Sequence, residues 1–245
     1  MSRPPLLGES RFWSRAEDRQ RAVNALFDRG AAHYDRVCRV MSLGAGQRYR
    51  RRALAQAGLR RGHRVLDVGT GTGLLAREIA GTVESSGRVV GLDPSVRMMF
   101  AGRAHLKIPL VQSVGEALPF RDETFDFVTM GYALRHVPEL GNAFREYRRV
   151  LRAGGRIVLL EITKPASTLG AAAARGYFGT IVPMLARVAT GSADAARLMD
   201  FYWETIDHCV PPEIVIRSLA DAGFADVRRD VEAGVFSAYV GHRAH

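Results

Sequence analysis

One segment, from Val65 to Asp93, constrains the fold more than any other part of the chain. The apolar run at 64–68 predicts a short buried strand, and the alternating glycines of Gly69-Thr70-Gly71-Thr72-Gly73 predict a tight turn before a helix at 74–80. A second apolar run at 88–92 predicts another strand, which ends on Asp93. A strand, a helix and a strand in this order form a βαβ unit, whose ligand site lies at the carboxyl ends of the strands.

The residues of this unit indicate a nucleoside ligand that carries an amino acid. Its glycines let the backbone turn sharply and approach a ligand closely, and Asp93 is placed to accept hydrogen bonds from a ribose diol. The dinucleotide pattern GxGxxG fails because Leu74 takes the place of its last glycine. The charge of Asp67 would repel a pyrophosphate but suits an ammonium group. We therefore predict S-adenosyl-L-methionine as the cofactor, with Asp67, Gly69, Gly71 and Asp93 among its contacts.

The charge of the chain allows two interpretations. The formal net charge is +10, and Lys107 and Lys164 are the only lysines among 35 basic residues. A basic balance is typical of proteins that bind nucleic acid or an anionic membrane surface. The arginines are scattered, and no basic run is interleaved with aromatic residues, which favours a solvated surface. We expect no nucleic-acid partner, and a basic nucleic-acid-binding or RNA-modifying protein stays as the alternative from another class.

Neither a metal site nor a membrane-spanning segment is predicted. Cys38 and Cys209 are the only cysteines and lack metal-ligand spacing, which favours a reducing compartment. The Ala-rich stretch 171–190 comes nearest to the roughly 20 apolar residues that cross a bilayer, but Arg175 and Arg187 interrupt it. The N-terminus has no apolar run like that of a signal peptide. We therefore expect a cytoplasmic protein.

Strands and helices alternate along most of the chain, which predicts an α/β fold with a doubly wound, mostly parallel seven-stranded sheet. Beyond the βαβ unit, strands are predicted at 110–114, 125–130, 156–162, 226–231 and 235–240. Helices are predicted at 95–105, 143–151 and 212–222. Gly154-Gly155 are expected to end the second of these helices.

The N-terminal part of the chain and one insertion do not follow this alternation of strands and helices. Residues 1–20 are expected to be a flexible N-terminus, and 21–245 a single domain. Within it, 21–60 has helical spacing and is expected to cap the cofactor end of the sheet. Residues 164–209 interrupt the alternation with alanines, glycines and aromatic residues, which indicates an inserted pair of helices that acts as a substrate lid.

These motifs resemble those of the class I methyltransferases, and more closely those of the ubiquinone/menaquinone-biosynthesis C-methyltransferase family. The similarity runs from about residue 27 to residue 239. Besides the glycine turn, it is carried by Ala32-His33-Tyr34-Asp35, Met41-Ser42-Leu43-Gly44, Glu116-Ala117-Leu118-Pro119-Phe120, Ala133-Leu134-Arg135, Tyr147 to Gly155, and Glu161-Ile162-Thr163-Lys164-Pro165. The resemblance implies a Rossmann-like methyltransferase fold and an enzyme that transfers a methyl group from S-adenosyl-L-methionine.

The resemblance also implies which residues contact the cofactor. They lie in the cap, the glycine turn and the ends of three strands, and are Tyr34, Thr72, Asp93, Val114, Gly115 and Gly131. Two of them depart from the family pattern. Val114 stands where the family usually has Asp or Asn, so the side-chain bond to the adenine amino group is lost. Gly131 replaces a hydroxyl-bearing residue.

Three residues are candidates for chemistry on the acceptor. In carbon methylation of a phenol or quinol, the ring hydroxyl must lose or share its proton so that the adjacent carbon can attack. Arg135 stays protonated and is predicted to stabilise the phenolate. His136, with an ordinary pKa of roughly 6.5, is predicted to take the proton, and His208 beside Asp207 is a second candidate base. Each also has a simpler interpretation as a solvated or surface-paired residue.

The acceptor stays open at this point. The family's Leu-Arg-Asn is Leu134-Arg135-His136 here, and its late Ile-Arg is Ile206-Asp207. We expect a small aromatic, quinol or polyketide-like acceptor in quinone or natural-product biosynthesis, methylated at carbon. The alternatives are transfer to oxygen or nitrogen of a specialised metabolite, and a cofactor-binding protein that has lost transfer. A homodimer, and peripheral membrane contact if the acceptor is a lipid quinol, are further expectations.

Overall fold

A seven-stranded sheet runs through the part of the chain that the computed structural model describes, residues 12–13, 15–42, 44–165 and 167–244. In chain order the strands are β1 (Arg64–Val68), β2 (Arg88–Asp93), β3 (Leu110–Gln112), β4 (Phe125–Gly131), β5 (Leu151–Ile162), β6 (Phe224–Glu232) and β7 (Phe236–Arg243). Across the sheet their order is β3-β2-β1-β4-β5-β7-β6. The first five strands pair in parallel, and β7 is antiparallel to both β5 and β6. The doubly wound, mostly parallel sheet is confirmed.

Helices cover both faces of this sheet and one of its ends. They are α1 (Arg19–Gly30), α2 (Tyr34–Ser42), α3 (Ala45–Gln56), α4 (Leu74–Val83), α5 (Val96–Arg103), α6 (Leu140–Val150), α7 (Thr168–Gly176), α8 (Val182–Thr190), α9 (Ala193–Asp207) and α10 (Pro212–Asp221). A π-helical turn at Tyr177–Ile181 joins α7 to α8, and a 3-10 turn at Leu134–His136 follows β4.

Neighbouring residues of the central strands face different helical layers. In β1, Val65 belongs to the core cluster formed with α3 and α4, whereas Leu66 and Val68 belong to the cluster formed with α6 and α10. Because both faces are covered, the strands are nearly continuous apolar runs. Asp67 is the buried polar residue of β1, whose other charged residue, Arg64, is only half-buried, and it lies at the end of the sheet where the site is found.

A third core cluster joins α1 and α2 to α8 and α9. Trp13 is only 6% exposed and packs edge-on against Phe201, with 6.1 Å between the ring centroids. The expectation of a flexible segment at 1–20 therefore does not hold for its described end, since Trp13 is buried and α1 already begins at Arg19. Residues 1–11 and 14 of that segment lie outside the described residues.

Two further details differ from the sequence prediction. The helix expected at 143–151 ends at Val150, and Gly154, with a φ of 73°, lies in an irregular first part of β5. Phe125 pairs with Leu151 but Phe127 pairs with Arg156, so the glycines form a bulge in β5 rather than the end of a helix. The insertion contains α7, α8 and α9 instead of one pair of helices.

Helix α5 packs closely against the glycine turn at Gly102. A Cβ added at Gly102 in α5 would lie 2.2 Å from the backbone oxygen of Thr72, whereas one added at Gly81 in α4 would meet no atom within 4 Å. Gly102→Ala is therefore expected to lower the free energy of unfolding by roughly 1–3 kcal/mol. Gly81→Ala, the matched helical control, is expected to raise it by up to roughly 1 kcal/mol. Urea unfolding measures both, and equal effects of the two changes would refute this packing.

Candidate functional site

A cavity opens where the carboxyl ends of β1, β2 and β4 meet the cap helices α1 and α2. Its floor is the glycine turn between β1 and α4, and its roof includes Phe27 from α1 and Tyr34 from α2. The residues predicted to contact the cofactor all line this one cavity: Tyr34, Asp67, Gly69, Gly71, Thr72, Asp93, Val114, Gly115 and Gly131.

Asp67 places a carboxylate with one free oxygen in the cavity wall. The side chain is 1% exposed, and its Oδ1 accepts a hydrogen bond of 2.7 Å from the Thr129 hydroxyl. Its Oδ2 is buried and has no hydrogen-bond partner among the described residues. Burial raises the pKa of this carboxyl to about 6. A buried carboxylate oxygen without a donor suits a cationic group with N–H donors, such as an ammonium.

Asp93 is held in place by backbone donors of the turn and of the following helix. Its Oδ2 accepts from the Gly71 backbone N–H and its Oδ1 from the Ser95 backbone N–H, both at 2.8 Å. Burial raises the pKa of Asp93 to about 6 as well. Each carboxylate oxygen has a second lone pair, so Asp93 can still accept from the hydroxyls of a ribose.

The glycines of the site leave the space that a ligand needs. Gly69 and Gly71 have φ values of 66° and 54°, a region in which side chains are strained. A Cβ at Gly69 would lie 2.7 Å from that of Ala133, and one at Gly131 would lie 3.2 Å from Leu75. The backbone can therefore follow a ligand along the ends of β1 and β4.

Thr72 ties the turn to the cap. Its hydroxyl donates to the carboxylate of Asp35 in α2, which also accepts a 2.7 Å bond from Arg77 in α4. Asp35 belongs to the Ala32-His33-Tyr34-Asp35 motif. That motif therefore fixes the cap over the glycine turn.

Near Val114 and Gly115, two polar groups of the cavity have no hydrogen-bond partner among the described residues. Val114 is 41% exposed and offers no hydrogen-bonding side chain. Beside it, Glu116 Oε1 and the Tyr147 hydroxyl are buried without a hydrogen bond and line the cavity. A Cβ at Gly115 would lie 2.3 Å from that hydroxyl, so the Tyr147 side chain packs directly against this backbone and only glycine fits here. An acceptor for an adenine amino group is thus available on Glu116, two residues after Val114.

These residues fit S-adenosyl-L-methionine. The free oxygen of Asp67 matches its ammonium, the anchored carboxylate of Asp93 matches its ribose, and the free oxygen of Glu116 matches the amino group of its adenine. No cluster of three His, Cys, Asp or Glu side chains that could hold a metal ion occurs in the described residues.

His136 lies in the wall of the same cavity among aromatic rings. Its imidazole is stacked on Phe201, with 5.6 Å between centroids, and meets Phe27 edge-on at 5.3 Å. Both ring nitrogens are buried and have no hydrogen-bond partner in the described structure. Burial lowers the pKa of His136 well below its ordinary range, and the charges of Arg135 and Arg19 lower it further. The ring is therefore a neutral imidazole with a free acceptor nitrogen.

Arg135 occupies the core instead of the cavity wall. Its guanidinium forms an ion pair with Glu161, donates a 2.9 Å bond to Thr205, and lies 4.1 Å from the centre of the Tyr202 ring. Both members of the ion pair have fully buried side chains. Tyr202 does line the cavity, and its hydroxyl lies 3.0 Å from that of Tyr34. The guanidinium therefore influences the cavity through Tyr202 and His136 and does not contact a phenolate there.

His208 lies away from the cavity. It is exposed at the end of α9, where its Nδ1 lies 2.9 Å from the backbone oxygen of Glu204. The neighbouring Asp207 is paired with Lys164 at 2.9 Å and approaches Arg175 at 3.7 Å. The geometry therefore does not bring His208 together with the other predicted site residues.

Three side chains of the site are not among the predicted contacts. Thr129 in β4 pairs with Asp67 in β1 and donates a hydrogen bond to it. Its place in the site could have been predicted because it is a hydroxyl-bearing residue within an apolar strand. Tyr202 could be predicted only as one of several lid aromatics. The inward side chain of Glu116 has no sequence signal, because its motif also fits a surface turn.

Solved structures of other proteins have a similar fold. A SAM-dependent methyltransferase of Thermotoga maritima, described as a possible histamine N-methyltransferase, matches with a TM-score of 0.65 at 20% identity and covers 90% of this chain and 99% of its own. A SAM-dependent methyltransferase of Aquifex aeolicus matches with a TM-score of 0.58 at 21% identity, over 79% of this chain and 88% of its own. At these identities the likeness shows the methyltransferase fold alone.

Proteins related in sequence share more identical residues with this chain than these two structures do. The ubiquinone/menaquinone biosynthesis C-methyltransferase UbiE of Cellvibrio japonicus is 32% identical over 233 residues, 92% of each chain. The demethylmenaquinone methyltransferase of Symbiobacterium thermophilum is 33% identical over 219 residues, 86% of this chain and 87% of its own. The model of the ubiE/COQ5 methyltransferase family matches residues 14–243. The chain therefore belongs to the ubiE/COQ5 methyltransferase family and is an S-adenosyl-L-methionine-dependent methyltransferase.

Proposed function

We propose that the enzyme transfers the methyl group to a ring carbon of a small quinol-type aromatic acceptor. The relatives are named for carbon methylation in ubiquinone and menaquinone biosynthesis and for methylation of demethylmenaquinone. The observation that carries the proposal is the neutral, unpartnered imidazole of His136 between two aromatic rings in the cavity wall. Such a group matches a flat, apolar ring that has a hydroxyl to deprotonate.

The proposed cofactor contacts divide among three carboxylates. Asp67 accepts from the ammonium through Oδ2, Asp93 accepts from the ribose, and Glu116 accepts from the adenine amino group. When bound, the cofactor supplies a methyl group on a sulfonium, and displacement by a carbon nucleophile releases a neutral thioether. The chain itself orients the two reactants, excludes water and handles the proton.

The proposed proton acceptor is the free nitrogen of His136. Burial, and then the charges of Arg135 and Arg19, keep this nitrogen unprotonated at physiological pH but also make it a weak base. We therefore propose that it takes the hydroxyl proton only during the reaction and does not hold it in the resting enzyme. As the ring hydroxyl gives up its proton to His136, electron density moves to the adjacent ring carbon, which attacks the methyl group. His136 then returns its proton to the ring oxygen and takes the proton from the methylated carbon, which makes the ring aromatic again. That one proton passes to bulk water when the product leaves.

The Tyr34 and Tyr202 hydroxyls complete the acceptor side. Burial raises the pKa of both phenols, so both stay protonated. One hydroxyl donates to the other, which leaves a second hydroxyl proton for an oxygen of the acceptor. Arg135, behind the Tyr202 ring, is proposed to position this pair. Transfer to oxygen or nitrogen, a cytoplasmic location and a homodimer stay predictions from the sequence.

Cofactor binding is expected to depend on the charge of Asp67 and on Asp93. The carboxyl of Asp67 is ionised above its pKa of about 6 and protonated below it, and only the ionised form pairs with an ammonium. The dissociation constant of S-adenosyl-L-methionine should therefore rise as the pH falls below about 6, by up to about tenfold per pH unit. Asp67→Asn should weaken binding and remove the part of this pH dependence that comes from Asp67, leaving the part that comes from Asp93, whose pKa is also about 6. Asp93→Ala should weaken binding by roughly 1–3 kcal/mol.

Isothermal titration calorimetry between pH 5 and 7 measures these effects. Asp221→Asn, which neutralises an exposed carboxyl at the end of α10, is the matched control and should bind like the unaltered enzyme. Equal affinity and an unchanged pH profile in Asp67→Asn would argue against the proposed ammonium contact.

The two candidate bases are separated by one pair of variants. His136→Gln is expected to lower kcat by roughly 10²- to 10⁴-fold, because it removes a general base while keeping the size and polarity of the side chain. Its affinity for the cofactor should change less than twofold. His208→Gln is the control, since that histidine lies outside the cavity, and its kcat should be unchanged.

Turnover of labelled cofactor with a panel of quinols and phenols provides the assay, and NMR of the product locates the methyl group. Loss of activity in His208→Gln but not in His136→Gln would refute the assignment of the base. A methyl group on oxygen or nitrogen would refute carbon transfer and leave the methyltransferase activity intact.

A further inference from the structure

The outward surface of α7, α8 and the π-helical turn between them carries apolar side chains that water reaches. Leu169, Ile181, Met184 and Val188 are 82%, 44%, 59% and 78% exposed. We call this surface the outer lid face. Scattered exposed apolar residues are normal on a protein surface, but four on one continuous helical run form a patch that needs an explanation.

Three of the four side chains lie on one side of the run that enters α8. Ile181, Met184 and Val188 follow one another at intervals of three and four residues. Leu169 lies on the preceding helix, α7, where Ala172, Ala173 and Gly176 are also exposed at helical spacing from it. Each of the two helices therefore presents an apolar side to solvent.

The opposite side of the same helices is fixed to the cap. Val182, Pro183 and Ala186 are buried, and Val182 and Ala186 belong to the core cluster that includes α1 and α9. Arg36 in α2 donates a 3.1 Å bond to the backbone oxygen of Ala189. The outer lid face is therefore presented by a well-anchored element.

The charges on this run have one sign. Residues 168–190 contain no Asp or Glu, and Arg175 and Arg187 are their only charged side chains. Both arginines are exposed, and Arg175 approaches Asp207 at 3.7 Å. An apolar face flanked by arginines, on a chain with a formal charge of +10, complements a surface that is apolar inside and anionic outside.

The same charges disfavour a second copy of the chain as the occupant. In a two-fold dimer, the same patch of each copy would face its counterpart. Arg175 and Arg187 of both copies would then be brought into one apolar interface to which residues 168–190 contribute no acidic side chain, and only Arg175 has an acid near it, Asp207 at 3.7 Å. An anionic lipid surface offers both the apolar depth and the negative charge.

We propose that the outer lid face docks the enzyme onto an anionic lipid membrane. The helices would lie in the interface without crossing it, and among the described residues no helix is long and apolar enough to span a bilayer. Docking would bring the lid to the membrane with its inner side still packed on α2, whose Tyr34, Cys38 and Met41 line the cavity. The inference rests on the lid alone and requires no particular acceptor.

Vesicle co-sedimentation of the full chain tests the proposal. The probes are vesicles of phosphatidylcholine alone and vesicles that also contain phosphatidylglycerol. The unaltered enzyme is expected to bind the anionic vesicles at least tenfold more tightly, and rising salt should weaken that binding. The double change Met184→Glu with Val188→Glu should lower the affinity at least tenfold, and Arg187→Gln about fivefold.

Phe100→Glu is the matched control. Phe100 is 61% exposed on α5, outside the lid, so this variant should bind vesicles like the unaltered enzyme. Cofactor titration and thermal unfolding of each variant show that the fold is intact. Failure to bind anionic vesicles, or equal loss in the lid and Phe100 variants, would overturn the proposal. Sedimentation velocity gives a further overturning outcome, namely a dimer that dissociates when the lid residues are changed.

Discussion

The site is built around the carboxylate of Asp67, which is buried before the cofactor binds. Asp67 lies at the end of a central strand, 1% exposed, with one oxygen held by Thr129 and the other without a donor. Burial raises its pKa to about 6, so keeping it ionised at neutral pH costs folding free energy that protonation at lower pH would relieve. A cationic ligand provides the missing donor. We therefore interpret the unfavourable burial of the Asp67 carboxylate as a feature that prepares the site to bind its cofactor.

Other parts of the structure keep this site closed and correctly shaped. Asp35 joins the cap to the glycine turn through Thr72 and to α4 through Arg77. On the acceptor side, the buried pair of Arg135 and Glu161 supports the wall that contains His136. Buried ion pairs contribute little net stability, but losing one partner leaves an uncompensated charge. The pair therefore supports the wall, and the charge of Arg135 adds to the burial that lowers the pKa of the neighbouring imidazole.

The parts of the fold with a repeating apolar pattern could be predicted from the sequence, and so could the cofactor turn. The strands around Asp67 and Asp93 follow a short-range pattern, which is why β1 and β2 match their predicted bounds. Glycines are common both after the end of a helix and in a β-bulge. The pair at 154–155 therefore could not show from the sequence whether it ends a helix or lies in a strand.

The acceptor side was harder to predict because its chemistry depends on burial and on distant contacts. Arg135 and His136 are neighbours in sequence, yet one side chain enters the core and the other lines the cavity. Several arginines that suggested a nucleic-acid partner are engaged in ion pairs, among them Arg149 with Asp122 and Glu146, and Arg243 with Glu123. Neither outcome follows from residue type or spacing.

A crystal structure of the enzyme with S-adenosyl-L-homocysteine would show whether Asp67 holds the ammonium group. We expect the ammonium nitrogen at roughly 2.7–3.2 Å from Asp67 Oδ2, with the ribose hydroxyls on Asp93. A nucleoside bound outside the cavity, or bound in it with the ammonium turned away from Asp67, would contradict this assignment.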